Sequence, residues 1–221
     1  MTARIAMISE HASPLAILGG TDSGGQNVYV SQLACHLATS GLSVDIFTRR
    51  DAPELPEVVH YKNGVRIIHV KAGPPARIEK EMLLPFMAEF SNNMYEFCAR
   101  QARSYDLVHA NFWTSGVATL ALKRKLNIPF VITFHALGCV RRLHQNDVDR
   151  FPKERPQWEA EIVAAADRVI AECPQDRLDL IQFYNADSTR TCIVPCGYDP
   201  NEMWPVDQVR ARHNLALPKD D

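Results

Sequence analysis

The sequence has no long apolar run, no dominant charge and no leader-like start. Its longest hydrophobic stretches fall far short of the ~20 residues that cross a bilayer, which argues against a helical membrane protein. Its 24 basic and 26 acidic residues leave a net charge of -2, and no basic block stands out, so a nucleic-acid-binding surface gains no support. The opening Met1–Glu10 is only briefly apolar and reads as a first strand rather than a secretion signal. A dinucleotide fingerprint needs glycines at i, i+2 and i+5, but the residue two after Gly20 is Asp22. The Gly-Lys-Ser/Thr of a P-loop is missing as well, as are internal repeats and low-complexity segments. Cysteine is scattered: Cys35, Cys98, Cys139, Cys173, Cys192 and Cys196 sit mostly in apolar stretches and read as free thiols of a reducing cytoplasm. Cys192 and Cys196 have no second pair and no nearby His pair, so no metal site is expected.

What is present is an ordinary globular composition, with 46% hydrophobic and 23% charged residues over 221 positions, enough for one large domain with its own core. Arg4–Ser9 is a short apolar run, a buried strand. From Asn27 to Ser40, Val30, Leu33, Ala34, Leu37 and Ala38 recur at helical spacing, and Gly41 stands where a helix C-cap is expected. Ser43–Thr48 alternates like a strand, and Asn63-Gly64 makes a hairpin-type turn before the strand-like Val65–Val70. Phe86, Met87, Phe90, Met94 and Phe97 form a helical stripe with Pro85 near its start. Strands follow at Leu107–His109, Pro129–Phe134, Arg168–Glu172 and Thr191–Val194, with helices at Thr114–Lys125, Trp158–Ala166 and Gln175–Tyr184. A polar loop is expected from His135 to about Pro156. This alternation predicts an α/β fold, a Rossmann-like doubly wound parallel sheet with at least six strands and helices on both faces. Ligands of such sheets bind beyond the carboxyl ends of the strands.

Three loops at those ends carry candidate chemistry. In the first, Gly19-Gly20-Thr21-Asp22-Ser23-Gly24-Gly25-Gln26-Asn27, two glycine pairs precede a helix N-terminus whose free N–H groups suit a phosphate. In the second, His135 follows a strand and points into the cleft, able to donate to a sugar hydroxyl or phosphate or to move a proton. His109 ends the neighbouring strand, where a buried, satisfied role competes with a functional one. The third group is basic: Arg77, Lys80, Arg141, Arg142 and Arg155 are spaced as cations for an anionic ligand, or as a solvated face. Glu159 and Glu161 follow, placed to bind hydroxyls, to orient a cation or simply to suit a helix dipole.

These residues carry a resemblance. The run Gly19-Gly20 … Gly24-Gly25-Gln26-Asn27-Val28-Tyr29-Val30, then Leu33-Ala34 and Gly41, resembles the opening of the retaining glycosyltransferases of family 4. It is most similar to the branch that holds sucrose-phosphate synthase, sucrose synthase and the mycothiol-pathway N-acetylglucosaminyltransferase. Asp106–Trp113, Phe134–Gly138, Trp158–Glu161, Ala165–Ile170 and Val194–Pro200 continue the likeness in order, over nearly the whole chain.

The resemblance implies the N-terminal, acceptor-side half of a GT-B fold: a Rossmann-like domain over residues 1–197, then 198–221 as linker and lead-in to an absent C-terminal donor-binding domain. It implies transfer of a hexosyl unit from a nucleotide-diphosphate sugar, UDP- or GDP-linked, to a hydroxyl acceptor such as a phosphorylated sugar or polyol, with retention. Gly24 and Gly25 would approach the donor diphosphate, and His135 would contact the transferred sugar as the catalytic and donor-binding histidine. Gln26, Asn27, Lys80 and Arg155 would hold the acceptor. No cofactor or metal is implied, and the half-domain would fold alone without catalysing, its exposed cleft face pairing two copies weakly. Where the mycothiol branch has a Tyr and a Thr, this chain has Phe112 and Ala136, each losing a hydroxyl near the acceptor. Cys196 stands where a second Pro is common. Two other classes remain on the residues alone: a non-catalytic Rossmann-like binding module, and a nicotinamide-dependent oxidoreductase, which the absent fingerprint and the position of Asp45 inside its strand disfavour.

Overall fold

In the computed structural model, which describes residues 2–16, 24–145 and 148–218, the alternating segments close into one eight-stranded sheet. The strands are β1 (Arg4–Ile8), β2 (Ser43–Arg49), β3 (Val58–His60), β4 (Arg66–Val70), β5 (Leu107–Asn111), β6 (Phe130–Thr133), β7 (Arg168–Ala171) and β8 (Thr191–Ile193). The helices are α1 (Gly25–Thr39), α2 (Met87–Ala99), α3 (Trp113–Leu126), α4 (Gly138–Gln145), α5 (Arg155–Ala165), α6 (Pro174–Tyr184) and α7 (Gln208–Asn214). The sheet order is β3-β4-β2-β1-β5-β6-β7-β8, with every neighbouring pair parallel except β3–β4. The expected doubly wound parallel sheet is what forms. An antiparallel strand on the edge of such a sheet is a common variation.

Period-two alternation assigns each face. Ile5, Met7, Val44, Ile46 and Ile67 point to one side and pack with Val30 and Ala34 of α1. Ala6, Ile8, Phe47 and Ile68 point to the other, into a larger cluster with Phe90 and Met94 of α2, Ala118 and Leu122 of α3, Ile162 of α5 and Leu180 of α6. Helices therefore lie on both faces. The α1 stripe ends as predicted: Gly41 has φ +88°, its N–H donates to Ala38 O at 3.0 Å, and Leu42 N–H donates to Leu37 O at 3.1 Å. That pair of bonds is a Schellman cap, and the left-handed backbone explains the glycine.

Two elements depart from the expected pattern. The hairpin's first strand, β3, is only three residues long and too brief for a hydrophobic period to reveal. The stretch expected as a polar loop contains α4, a short helix whose buried Gly138 and half-buried Cys139 and Val140 lie among arginines and histidine. Its polar composition hides it, because only one face packs, against α5.

The amino end of the sheet is closed by charge. Asp45, expected to be no cofactor ligand, is almost fully buried and accepts from Arg4 Nη2 at 2.7 Å, Arg66 Nε and Nη2 at 2.7 and 2.6 Å, and Tyr105 OH at 2.5 Å. Burial alone would raise its pKa, but the hydrogen bonds from Arg66, Tyr105 and Arg4 outweigh it and hold the carboxyl below its ordinary range. Removing one partner of a buried pair strands the other charges. Asp45→Asn is expected to lower unfolding stability by about 3–5 kcal/mol in urea titrations at neutral pH. Because the folded carboxyl titrates below its unfolded value, the stabilisation is present above that unfolded value, 3.8, and is lost as pH falls through the folded one. The variant should lack that part of the acid dependence, and an unchanged acid limb would show that Asp45 is not its source.

Candidate functional site

Seven strands run in one direction, so their carboxyl ends share an edge, and polar residues gather there. After β1, Glu10 is buried and accepts from the hydroxyls of Thr114 and Ser115 at the start of α3 and from His11 Nδ1, 2.8 Å away. Burial would raise the Glu10 pKa, but His11, as charge and hydrogen-bond partner, with Ser115 and Thr114, holds it below the ordinary carboxylate range. The His11 ring in turn meets the edge of Phe112, centroids 4.9 Å apart. Neither Glu10 nor His11 was singled out by sequence. A carboxylate one residue past a predicted strand was the available signal.

At the ends of β5 and β6, two side-chain-bearing residues take left-handed φ. Phe112 has φ +77° and ψ 159°, a region otherwise almost reserved for glycine, and His135 has φ +59°. The strained Phe112 backbone is pinned by its N–H to Thr133 O at 2.8 Å. His135 sits as expected at the strand end, half-buried, its Nδ1 3.0 Å from Glu172 Oε1 and its Nε2 3.1 Å from Asn111 Oδ1. The ring edge of Tyr29 from α1 lies against it, centroids 4.8 Å apart.

That contact joins the histidine to the glycine loop. Gly19, Gly20, Thr21, Asp22 and Ser23 lie outside the described residues. Gly24 and Gly25 form the N-terminus of α1, both exposed, and a Cβ at either would meet nothing within 4 Å among the described residues. Neither has positive φ, so neither turn geometry nor packing requires glycine there. Gln26 reaches across the strand ends, its Nε2 donating to Ser9 Oγ at 3.2 Å and lying 3.5 Å from Asn111 O. Asn27 corrects the expectation that it faces an acceptor. It is buried, with Oδ1 accepting the Gly24 N–H at 3.0 Å and Nδ2 donating to Ser13 O at 2.9 Å. At the third helical position its amide caps the helix N-terminus, so its oxygen and its nitrogen each already hold a partner inside the protein.

The basic group divides. Lys80 opens a 3-10 turn, Lys80–Met82, and is half-buried. The preceding Glu79 pairs with Arg150, tying this loop to the one before α5. Arg77 is exposed, and Arg141 pairs with Asp149 at 2.9 Å. Arg155, expected on the cleft face, is instead enclosed. It is 1% exposed, its Nε 2.8 Å from Glu159 Oε1 and its Nη2 2.5 Å from Ala136 O. Its guanidinium lies over the rings of Phe151, Phe112 and Trp113, at 4.5, 5.0 and 5.7 Å, and Nη1 has no hydrogen-bond partner among the described residues. Burying a guanidinium costs its hydration; the aromatic faces and buried Glu159, which pairs with it, offset that cost. Glu159 thus orients a cation, one of the roles its position suggested, and also accepts the Gly138 N–H at 2.9 Å and the Tyr184 hydroxyl at 2.5 Å.

His109 takes the structural role. It is buried with Nε2 2.9 Å from Thr133 Oγ1, and burial first, then the neighbouring charge of His135, pushes its pKa down to about 4. The unfolded histidine binds its proton near 6.5, so between those values the unfolded state holds more protons. Folding stability must therefore fall as pH drops through this window, by up to about 3 kcal/mol. Urea unfolding followed from pH 7 to pH 4 should show that loss, and His109→Gln should remove it. An equal loss in the variant would assign the acid sensitivity elsewhere.

With this geometry in view, the relatives are informative. Residues 23–202 match the profile of Glycosyltransferase Family 4. The chain is 40% identical over 218 residues to D-inositol 3-phosphate glycosyltransferase 1 of Catenulispora acidiphila, covering 98% of this chain and 51% of that protein. It is 38% identical over 221 residues to the D-inositol 3-phosphate glycosyltransferase of Kineococcus radiotolerans, again covering 98% and 51%. Sucrose-phosphate synthase from Thermosynechococcus elongatus superposes with a TM-score of 0.89 at 33% identity, over 99% of this chain and 54% of that one. HepE of Anabaena, solved with UDP and glucose, shares the fold at 17% identity and a TM-score of 0.62, over 97% of this chain and 50% of that one. The chain spans about half the length of the curated relatives it matches. Over that half, the profile match and the two relatives agree with the strand-edge geometry, and the chain belongs to Glycosyltransferase Family 4.

Proposed function

We propose that this chain is the acceptor-side half of an enzyme that moves a hexosyl unit from a nucleotide-diphosphate sugar to a hydroxyl acceptor, with retention of configuration, in the cytoplasm. The observation that carries this reading is the glycine pair at the N-terminus of α1. Gly24 and Gly25 are exposed and a Cβ at either would meet nothing within 4 Å among the described residues, so no side chain of theirs bars a ligand from the backbone N–H groups of the first turn; the Gly24 N–H is held by Asn27 Oδ1, and Tyr29 of the same helix touches His135. A diphosphate gains from such N–H groups and from the helix dipole, and close approach needs the missing Cβ atoms. Residues 198–218, with Met203, Trp204, Val209 and Leu215 exposed, are assigned to the linker and lead-in to a donor-binding domain. That assignment is supported by relatives about twice as long.

The chemistry proposed for this half is positioning. Among the described residues no group of three or more His, Cys, Asp or Glu is placed to hold a metal ion, and the nucleophile of a covalent route has no evident general-base partner. The leaving diphosphate itself would take the acceptor proton as the C–O bond to the donor breaks. Glycine N–H groups and His135 would stabilise the charge that develops on the diphosphate and sugar oxygens. Gln26 lies where the incoming hydroxyl would approach, across the ends of β1 and β5. The names of the relatives, which include a D-inositol 3-phosphate and a sucrose-phosphate enzyme, support a phosphorylated sugar or polyol as acceptor, met from the loop that carries Lys80.

Gly25→Val tests the reading. Its side chain meets nothing within 4 Å among the described residues, so the variant should unfold at the same urea concentration as the parent. In the chain joined to a donor-binding half, nucleotide release from UDP- or GDP-sugar should fall by about 100-fold or more, as when an oxyanion donor is removed. Near-normal release would show that the loop is only a turn.

A further inference from the structure

Both ring nitrogens of His135 face an oxygen. Nδ1 meets Glu172 Oε1 and Nε2 meets Asn111 Oδ1, at 3.0 and 3.1 Å. Asn111 is held in this sense because its Nδ2 donates to Ile8 O and to His109 O, each at 3.3 Å. It therefore turns its oxygen, an acceptor, toward the ring. Glu172 Oε1 accepts from Cys196 Sγ as well, 3.1 Å away, and its own N–H is tied to Asp176 Oδ2 at 2.9 Å. An imidazole between two acceptors satisfies both only when each nitrogen carries a proton.

We propose that Glu172 is a positioning residue that, with Asn111, holds His135 as a doubly protonated imidazolium, ready to pass its Nε2–H from Asn111 to an oxygen of the bound donor. The second half of this statement rests on the nucleotide-sugar reading of the cleft. The first half stands on the hydrogen-bond geometry.

Among the described residues, the charges of the groups that face the ring agree. From α1 comes the Tyr29 ring, whose hydroxyl burial keeps protonated, and from β5 come Asn111 and His109. His109 is pushed to about 4, first by burial and then by His135, so the two histidines do not compete for charge. Beyond β8 lies Cys196, whose thiol is pushed up to about 11 by burial and then by Glu172, so it remains an S–H donor. At the end of β7 stands Glu172. Burial would raise it, but the His135 bond and charge and the Cys196 bond hold it below the ordinary range. Asp176 from α6 lies behind it, its carboxyl raised mainly by burial. One firm carboxylate thus faces one imidazolium. A charged donor makes a hydrogen bond roughly twice as strong as a neutral one, at the place where diphosphate and sugar oxygens gain negative charge.

The test reads the ring directly in the 221-residue chain. Long-range proton–nitrogen correlation spectra of the ¹⁵N-labelled protein, assigned with His135→Gln, report which ring nitrogens carry protons. Near pH 7 the wild-type ring should show both nitrogens protonated. In Glu172→Gln the ratio of doubly to singly protonated ring should fall about 10-fold or more, the effect of removing one nearby opposite charge. A wild-type ring with a single proton near pH 7 overturns the proposal, as does a Glu172→Gln ring indistinguishable from wild type. Should that variant not fold, the wild-type spectrum alone decides. The measurement needs no substrate, so its failure leaves the transfer reading intact, and failure of the transfer reading leaves the ion pair intact.

Discussion

Parallel strands cannot turn back on themselves, and everything at the candidate site follows from that constraint. Seven of them, from β4 to β8, end on a single edge, and each is followed by a segment that must start back toward the other end. The residues at those ends are polar: Glu10 after β1, Asn111 in β5, Thr133 and His135 at β6, and Glu172 after β7. Several are too deep for water and must find partners in one another. The result is a chain of bonds that crosses from strand to strand. Glu10 is tied to α3, His109 to Thr133, and His135 to both Asn111 and Glu172. Such a network fixes side-chain directions before any ligand arrives, which is what a reaction driven by positioning requires.

The same edge stores strain. Phe112 and His135 are adjacent strand-end residues with left-handed φ, each costing on the order of 1–3 kcal/mol. The cost is offset away from the edge. At the other end of the sheet Asp45 gathers two arginines and a tyrosine, and the two apolar clusters fill both faces between. The molecule thus separates a stable amino-end half of its sheet from a carboxyl-end edge where backbone torsion serves to aim rings. Phe112 shows what the torsion does: it sets one ring against His11 on one side and the Arg155 guanidinium on the other.

The sequence announces its strands and long helices because their apolar residues repeat with periods of 2 and 3.6, and Gly41 marks a helix end for a stereochemical reason. It also points to His135 and to the glycine pair, since their order along an alternating α/β chain puts them at strand ends. Direction is another matter. Asn27 and Arg155 are the right residue types at the right distance from the cleft, yet one turns inward to cap its own helix and the other lies beneath three aromatic rings. Residue type and spacing do not encode which way a side chain packs, because that depends on partners far along the chain. Glu172 is missed for the same reason. It reads as the last residue of a strand, and only the fold brings it to His135, 37 positions earlier.

Arg155 bears on what the cleft can accept. Its charge is already matched by Glu159, which is wholly buried, so the pair offers an incoming anion little net attraction. What it retains is directional: among the described residues Nη1 is a buried donor without a partner, and a buried donor gains more from one well-placed acceptor than from bulk charge. The Phe112 ring, 5.0 Å from the guanidinium, lacks the hydroxyl a tyrosine would present, and exposed Ala136 adds none. On the proposed transfer reading, an acceptor phosphate meets a more accessible cation in half-buried Lys80 than in Arg155, which is 1% exposed. Burial and pairing, more than the number of cations around the cleft, therefore decide which of them an incoming anion could meet.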